Sequence, residues 1–442
     1  MKKKEKVTFN KTRELLFGAK LLDSDYWVNR GEIPLGTKFP FEYYNEANGF
    51  SEIPDEDIVV MTFDKVIEGF DFTRRSPLNV LVLGGSGDGK GLLQKNAWQI
   101  LQKAQFYITY IDAKSTEAGR AVVKWSNSPR LAKYVVPEGI PLAHYMPSCS
   151  TTNVQHLVHN FRIYSENLSA IKDKNMWKGL GMGTSASVVS KLITGRYYGK
   201  ISSLNGVKMK NLSELKSAIY ELEEEELPKI SKGNALRVIT DLDDYGVVDE
   251  NIPVLNQFKV WSEEHKSVVI SYNSMPPELM TFDIGLRIRE ASQYMLSKGN
   301  KHHPIMFFLD DASYYAKELK QVDFNFAVEQ IIEIGNNYRS LGLQMWLSVQ
   351  SLGIIDDNVA EVFKWKIISP YFANPDTLKK INIPDEVIWS IKDNELVKDK
   401  SRHLTQWQLI NPEGEVQRFF PFTPASNHFT NIHHPRGEFE DE

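Results

Sequence analysis

The chain has 442 residues, 42% of them apolar and 25% charged, with a net charge of −5 and a single cysteine, Cys149. That length suits roughly two or three domains, and the composition is that of a globular protein, not a disordered or fibrous one. The mild acidity excludes a whole-surface attraction to nucleic acid without excluding a local basic face. One cysteine excludes an internal disulfide framework and a cysteine-rich metal centre, and it favours a reducing, cytoplasmic setting.

In chain order, residues 1–55 open on MKKKEK, continue into VTFNKTRELLF and are then punctuated by aromatics and prolines. This is no apolar signal core, and no stretch of the chain reaches the length of a membrane span. The segment reads as an extended arm or small subdomain. Asp57–Phe63 (DIVVMTF) reads as a strand. Leu78–Leu83 is a short apolar run suited to a strand buried on both faces. Gly84, Gly85, Gly87 and Gly89 follow, then Lys90 and a helical segment over Leu92–Gln105. A strand feeding a glycine-rich turn and a helix is the framework of the phosphate-binding P-loop. The backbone of Gly85, Ser86, Gly87, Asp88 and Gly89 would curl its N–H groups inward, and the helix start through Gly91 and Leu92 would add its dipole. Lys90 would supply the full charge. The position after the lysine ordinarily carries a Ser or Thr hydroxyl for Mg²⁺ and is here Gly91. Asp88 puts a carboxylate in the loop, at small cost if it points outward.

Gln105–Asp112 (QFYITYID) reads as a second strand ending on a carboxylate. Residues 56–150 thus form the first part of an α/β core. The texture then changes over 151–265, with helical patches at Val154–Leu168 and Leu212–Glu226 and an acidic run at Glu223–Glu226 that reads as a solvated helix face. DLDDYG at 241–246 lacks the spacing of a calcium loop and reads as an exposed turn. This region reads as a largely helical insertion. Its Lys174, Lys178, Arg196 and Lys200 flank loops able to face a polyanion, or are scattered surface cations.

Strand–helix alternation returns over 266–425: SVVISY, a helix opened by Pro276 and Pro277, PIMFFLDDA, a helix over Phe324–Ser340, GLQMWLSVQ, KWKIISPYF, and a hairpin of Thr405–Ile410 with Val416–Phe420. Such alternation implies a mostly parallel sheet with helices on both faces, and ligands at the carboxyl ends of its strands. The tail, 426–442, carries two adjacent histidines with no third metal ligand nearby.

Phosphoryl transfer from ATP needs held phosphates, Mg²⁺ and a positioned water. Asp310 is the candidate for Mg²⁺ and Asp311 for the base that orients or deprotonates the water. Gln350 is the candidate sensor of the γ-phosphate. Arg339, in NNYRSLG, is either an arginine finger reaching a neighbouring subunit's site or a structural ion-pair partner.

The ordered set resembles the HerA/FtsK superfamily of ring-forming DNA translocases, and HerA-like ATPases in particular. The family's P-loop has the form G-x-T-G-S-G-K-[ST], against Gly84-Gly85-Ser86-Gly87-Asp88-Gly89-Lys90-Gly91 here. PIMFFLDDA is similar to its hydrophobic strand ending in Asp-Glu, with Asp311 in place of Glu. GNNYRSLGLQMWLSVQSLGIIDDNV is similar to its arginine–glycine segment before a strand ending in Gln. The likeness spans about residues 57–120 and 267–375. It implies a RecA-like P-loop NTPase core in a homo-oligomer, a hexamer, with ATP and Mg²⁺ at subunit interfaces and duplex DNA through the pore. Gly91 and Asp311 are departures that point to slow or specialised hydrolysis. The alternatives are a nucleotide-binding assembly protein without turnover and a P-loop enzyme acting on a small substrate.

Overall fold

A computed structural model describes residues 24–39, 53–63, 78–85, 88–113, 118, 121, 139–148, 161–272, 275–298, 303–316, 324–338, 341–350, 357–369, 378–379, 381, 383–393 and 406–422. Twelve strands form one sheet, in the order β2-β1-β12-β11-β10-β3-β9-β8-β4-β7-β5-β6. They are β1 Glu32–Thr37, β2 Ile58–Thr62, β3 Val80–Leu83, β4 Tyr107–Asp112, β5 Leu142–Pro147, β6 Phe161–Tyr164, β7 Ser267–Ser271, β8 Ile305–Asp310, β9 Leu343–Val349, β10 Trp365–Ile368, β11 Trp407–Ile410 and β12 Val416–Pro421. From β10 to β6 every pairing is parallel, and β11, β12, β1 and β2 extend the sheet antiparallel. This is the mostly parallel, RecA-like core expected.

The period-2 alternation of a strand divides the core into two layers. Leu81 and Leu83 of β3, Phe307 and Leu309 of β8 and Leu347 of β9 face one layer. Val80, Val82, Met306, Phe308 and Trp346 face the other. Both faces are covered, so the central strands carry almost no polar residues, as parallel sheets require. The helices are α1 Ser24–Arg30, α2 Lys90–Lys103, α3 Lys174–Gly179, α4 Ala186–Thr194, α5 Leu212–Glu221, α6 Lys229–Asp244, α7 Gln257–Ser262, α8 Pro277–Lys298, α9 Phe326–Glu333, α10 Asp357–Glu361 and α11 Asp385–Asp393. Helix α2 is fixed to the sheet by Trp98, whose indole N–H donates to Ser267 Oγ at 2.7 Å, and by Gln94, which accepts from Tyr110 OH at 2.8 Å. Burying an indole of this size contributes ~1.5–3 kcal/mol.

Several local expectations change. Residues 161–164, inside the expected helix Val154–Leu168, form β6 and pair in parallel with β5. The helix-like spacing of apolar residues there loses to sheet extension. The expected turn at 241–246 is largely the end of α6, where Asp241 pairs with Arg237 and Asp243 with Lys216. The acidic run is not a helix face, since α5 ends at Glu221. Glu223 and Glu225 pair with Lys200, and Glu226 accepts from Tyr197. Helix α9 gives way to a π-helical turn over Ile334–Tyr338.

The helical segment docks through one aromatic and one buried ionic hub. Phe326 of α9 fills the space left by Gly179 and Gly285, where an added Cβ would lie 2.8 and 2.4 Å from its side chain. Arg287 of α8, 0% exposed, bonds Glu166 and Glu290, the latter at 2.8 Å, and lies 3.6 Å from Asp283. Asp283 in turn accepts from Tyr164 and Tyr272 at 2.5 and 2.6 Å.

Candidate nucleotide site

Strands β3, β9 and β8 lie side by side and end together, because their registers align Leu83 with Val349 and Leu309 with Leu347. Two side chains stitch the other end of the β3–β9 pair: Asn79 Oδ1 accepts from Met345 N at 3.0 Å, and Gln344 Oε1 accepts from Leu78 N at 3.2 Å. Past the carboxyl ends, Gly84 N–H donates to Val349 O at 3.2 Å. Gly89 caps α2 in the left-handed region, with φ 100°. That geometry favours glycine and turns Lys90, the first helical residue, back over the loop. The Lys90 ammonium, 7% exposed, donates to Gly84 O at 2.9 Å and Gly85 O at 2.8 Å.

Asp88 does not point outward. Its carboxylate accepts from Gly85 N–H at 2.6 Å and from the Ser369 hydroxyl, at the end of β10, at 2.7 Å. A donor of the loop backbone, of the kind that cradles a phosphate, is thus engaged by the chain's own anion.

The acidic end is equally compact. Asp310 Oδ1 accepts from the Ser348 hydroxyl at 2.5 Å and from Asp311 N at 2.9 Å. Asp311 takes a left-handed backbone, φ 46° and ψ 49°, uncommon for a residue with a side chain and a form of strain found at functional sites. The turn aims its carboxylate at Gln350, whose amide Nε2 donates to Asp311 Oδ1 at 2.6 Å. On the neighbouring strand Asp112 stands level with Asp310 and accepts from Ala118 N at 3.1 Å. Burial, then the charges of Asp311 and Asp112, push the Asp310 carboxyl up to about 7, against the Ser348 hydrogen bond and Lys90. The same burial and carboxylates hold the Tyr315 hydroxyl well above its ordinary range.

Of the residues named from sequence, Lys90, Asp310, Asp311 and Gln350 are brought to one edge of the sheet, with Gly85, Asp88, Gly89 and Gly91 in the loop and first turn of α2. Ser86, Gly87 and Arg339 lie outside the described residues, as does the side chain of Leu92. Ser348 and Ser369 are additions. Their only sequence signal is a lone hydroxyl residue inside or ending an otherwise apolar strand.

A divalent cation suits this donor set. A carboxyl raised by burial and then by two neighbouring carboxylates is a place where added positive charge is favourable. Among the described residues no three His, Cys, Asp or Glu are arranged to chelate a metal alone. That fits Mg²⁺, which is held through one or two carboxylates, waters and phosphate oxygens. Gly91 contributes no hydroxyl to it.

No family model matches the chain, and no curated protein does. Among solved structures it is similar to the plasmid coupling protein TrwB in complex with ADP and Mg²⁺, at 12% identity and a TM-score of 0.49, covering 80% of this chain and 87% of that one. It is also similar to TrwB in complex with the non-hydrolysable ATP analogue ADPNP, at 13% identity and 0.43, covering 80% of each. A further likeness is to the genome packaging NTPase B204 from Sulfolobus turreted icosahedral virus 2 in complex with ATP-gammaS, at 12% identity and 0.35, covering 79% of this chain and 100% of that one. The reading of the site below stands on its own strand order and side chains.

Proposed function

We propose that the protein is an ATP-driven translocase of duplex DNA, of the HerA/FtsK type, acting as a homo-oligomeric ring. The observation that carries this reading is the convergence of Lys90, Asp310, Asp311 and Gln350 on adjoining strand ends. In this reading the backbone of Gly85–Gly89 and the Lys90 ammonium bind the β- and γ-phosphates, which requires Lys90 to leave the loop carbonyls. Asp310, held by Ser348, would hold Mg²⁺, and the ion would supply neutralisation of phosphate charge. Asp311 takes the proton of the attacking water. Gln350, bonded to Asp311, reports whether the γ-phosphate is in place. Arg339, outside the described residues, would in a ring serve either as an arginine finger on a neighbour's nucleotide or as a structural ion-pair partner. Among the described residues no helix is long and apolar enough to cross a membrane.

The test is ATP turnover with and without duplex DNA. Wild type should hydrolyse ATP faster with DNA, Lys90→Ala should abolish turnover, and Asp311→Asn should lower it by ~10²–10⁴-fold, the span of general-base catalysis. Wild-type protein inert with Mg²⁺ or Mn²⁺, with or without DNA, would falsify the motor. Two observations favour a second reading, a nucleotide-binding ring component with weak or lost hydrolysis: Gly91 lacks the hydroxyl, and Asp88 engages the loop. ATP-dependent assembly without turnover, with turnover appearing in Gly91→Ser, would select it.

A further inference from the structure

The stretch from residue 172 to 210 carries eight Lys and Arg residues and one carboxylate, Asp173, inside a chain of net charge −5. The fold neutralises part of this charge and leaves the rest. Asp173 is taken by Arg289, and Lys200 is held by Glu223 and Glu225. Lys174 and Lys178, on α3, stay exposed; Lys172, Lys191, Arg196, Lys208 and Lys210 are exposed too, and none of these five has an ion-pair partner among the described residues.

Contacts around α4 bring the chain positions of these five, all exposed, together from three segments. Ser190 Oγ donates to Lys172 O at 2.6 Å, which sets Lys172 beside α4. At the end of that helix Arg196 N donates to Lys191 O at 2.8 Å. Met209 N donates to Leu192 O at 3.2 Å, laying 208–210 along the same helix end. A Cβ on Gly195 would stand 3.4 Å from Lys208 Cβ. Tyr198, two residues past Arg196, presents its ring to solvent, 78% exposed, with its hydroxyl 3.4 Å from where a Cβ on Gly206 would stand. Lys191 and Arg196 also complement the negative end of the α4 dipole. That bland role does not extend to Lys172, Lys208 or Lys210, which belong to neighbouring segments.

We infer that this face of the helical segment, formed by Lys172, Lys191, Arg196, Lys208 and Lys210 around Tyr198, binds the phosphate backbone of duplex DNA. Cations drawn from three segments suit a row of phosphates better than one compact anion. Tyr198 and Val207 are this face's exposed large apolar side chains, and two isolated residues without an amphipathic stripe are poorly suited to entering a lipid interface. Contacts of this kind position a nucleic acid without reading its sequence. The inference rests on the DNA-motor reading for its partner, but its measurement is independent of turnover.

The experiment is equilibrium binding of the full chain to a fluorescently labelled duplex across a salt series, without nucleotide. Changing all five to Gln should weaken binding at least tenfold. It should also flatten the slope of log K against log salt by about 3 or more, since each phosphate contact contributes ~0.9. Lys200→Gln, a cation the fold already pairs, should change neither, and basal ATP turnover of the five-fold variant should match wild type. The inference is overturned if the variant keeps wild-type affinity and slope. It is equally overturned if wild type binds anionic lipid vesicles but not duplex, or if the variant alters particle size while DNA binding stays the same. DNA binding lost while no form turns over ATP would sink the motor and leave this surface standing.

Discussion

Two regions of this molecule bury carboxylates, and they are balanced differently. At the hub on α8, Glu166, Asp283 and Glu290 surround Arg287, a guanidinium that cannot deprotonate. At the strand ends, Asp112, Asp310 and Asp311 share a sheet edge, and the ammonium nearest them, Lys90, donates to the carbonyls of Gly84 and Gly85. The first region carries its counter-charge on a packed side chain. The second gains by receiving a cation from outside. Buried acids packed around an internal guanidinium are a structural device, whereas buried carboxylates gathered at strand ends beside a phosphate-type loop are a candidate functional site.

The sharpest way to break this comparison is to remove Arg287. Arg287→Ala would leave the hub's acidic groups without their cation, and breaking a buried pair in this way costs ~3–5 kcal/mol. Thermal or urea unfolding should show a loss of that size, with Arg287→Lys intermediate because it keeps the charge but not the planar fork. A loss below about 1 kcal/mol would mean the hub behaves as a surface pair, and the contrast with the nucleotide site would fail.

The next effect concerns affinity. Asp88 sits among the donors a phosphate would use, so a nucleotide must displace a carboxylate from Gly85 N–H and Ser369. Asp88→Ser removes that competing charge and should tighten ATP binding by about tenfold, ~1.4 kcal/mol, read by calorimetry. Unchanged or weaker binding would show that Asp88 swings clear at no cost.

The same residue marks how far sequence reaches. The positions of Lys90, Asp310, Asp311 and Gln350 could be inferred because each ends or follows a buried apolar run, and strand ends gather at one edge of a parallel sheet. The direction of Asp88 could not be inferred, because its partner Ser369 lies 281 residues away. Ser348 was hidden for a related reason: only the adjacency of β8 and β9 gives a lone serine in LQMWLSV a carboxylate to hold. Strand β1 does not stand out in the sequence because Pro34 and Gly36 interrupt its apolar run. In the sheet Pro34 O accepts from Asn96, and Gly36 admits Phe420 O, which would stand 2.0 Å from any Cβ there. Strand β5, with His144 between apolar residues, reads as no clear pattern until Ser271 is seen bonded to that imidazole at 2.9 Å.

The smallest effect tests the hub by pH. Burial, reinforced by Asp283 and Glu290 and opposed by Arg287, pushes the Glu166 carboxyl up to about 8 from an ordinary 4.5. Its second oxygen is buried with no hydrogen-bond partner, so no donor stabilises a full charge there. The folded state therefore keeps a proton that the unfolded chain releases near 4.5, so this stability is fully present below that pH and is lost as pH rises through 8. His144 runs the other way, held neutral by burial down to about 4, so its contribution is lost on acidification below its ordinary 6.5 and does not interfere above it. Between pH 6.5 and 8, wild type should lose stability through both Glu166 and the Asp310 carboxyl, which is raised to about 7, and Glu166→Gln, neutral throughout, should remove the Glu166 share, ~1 kcal/mol, and leave the Asp310 share. An equal slope in the variant would place the titrating group elsewhere. It would also mean that Arg287 keeps Glu166 ionised, making the hub a fully charged cluster and not one balanced in part by a retained proton.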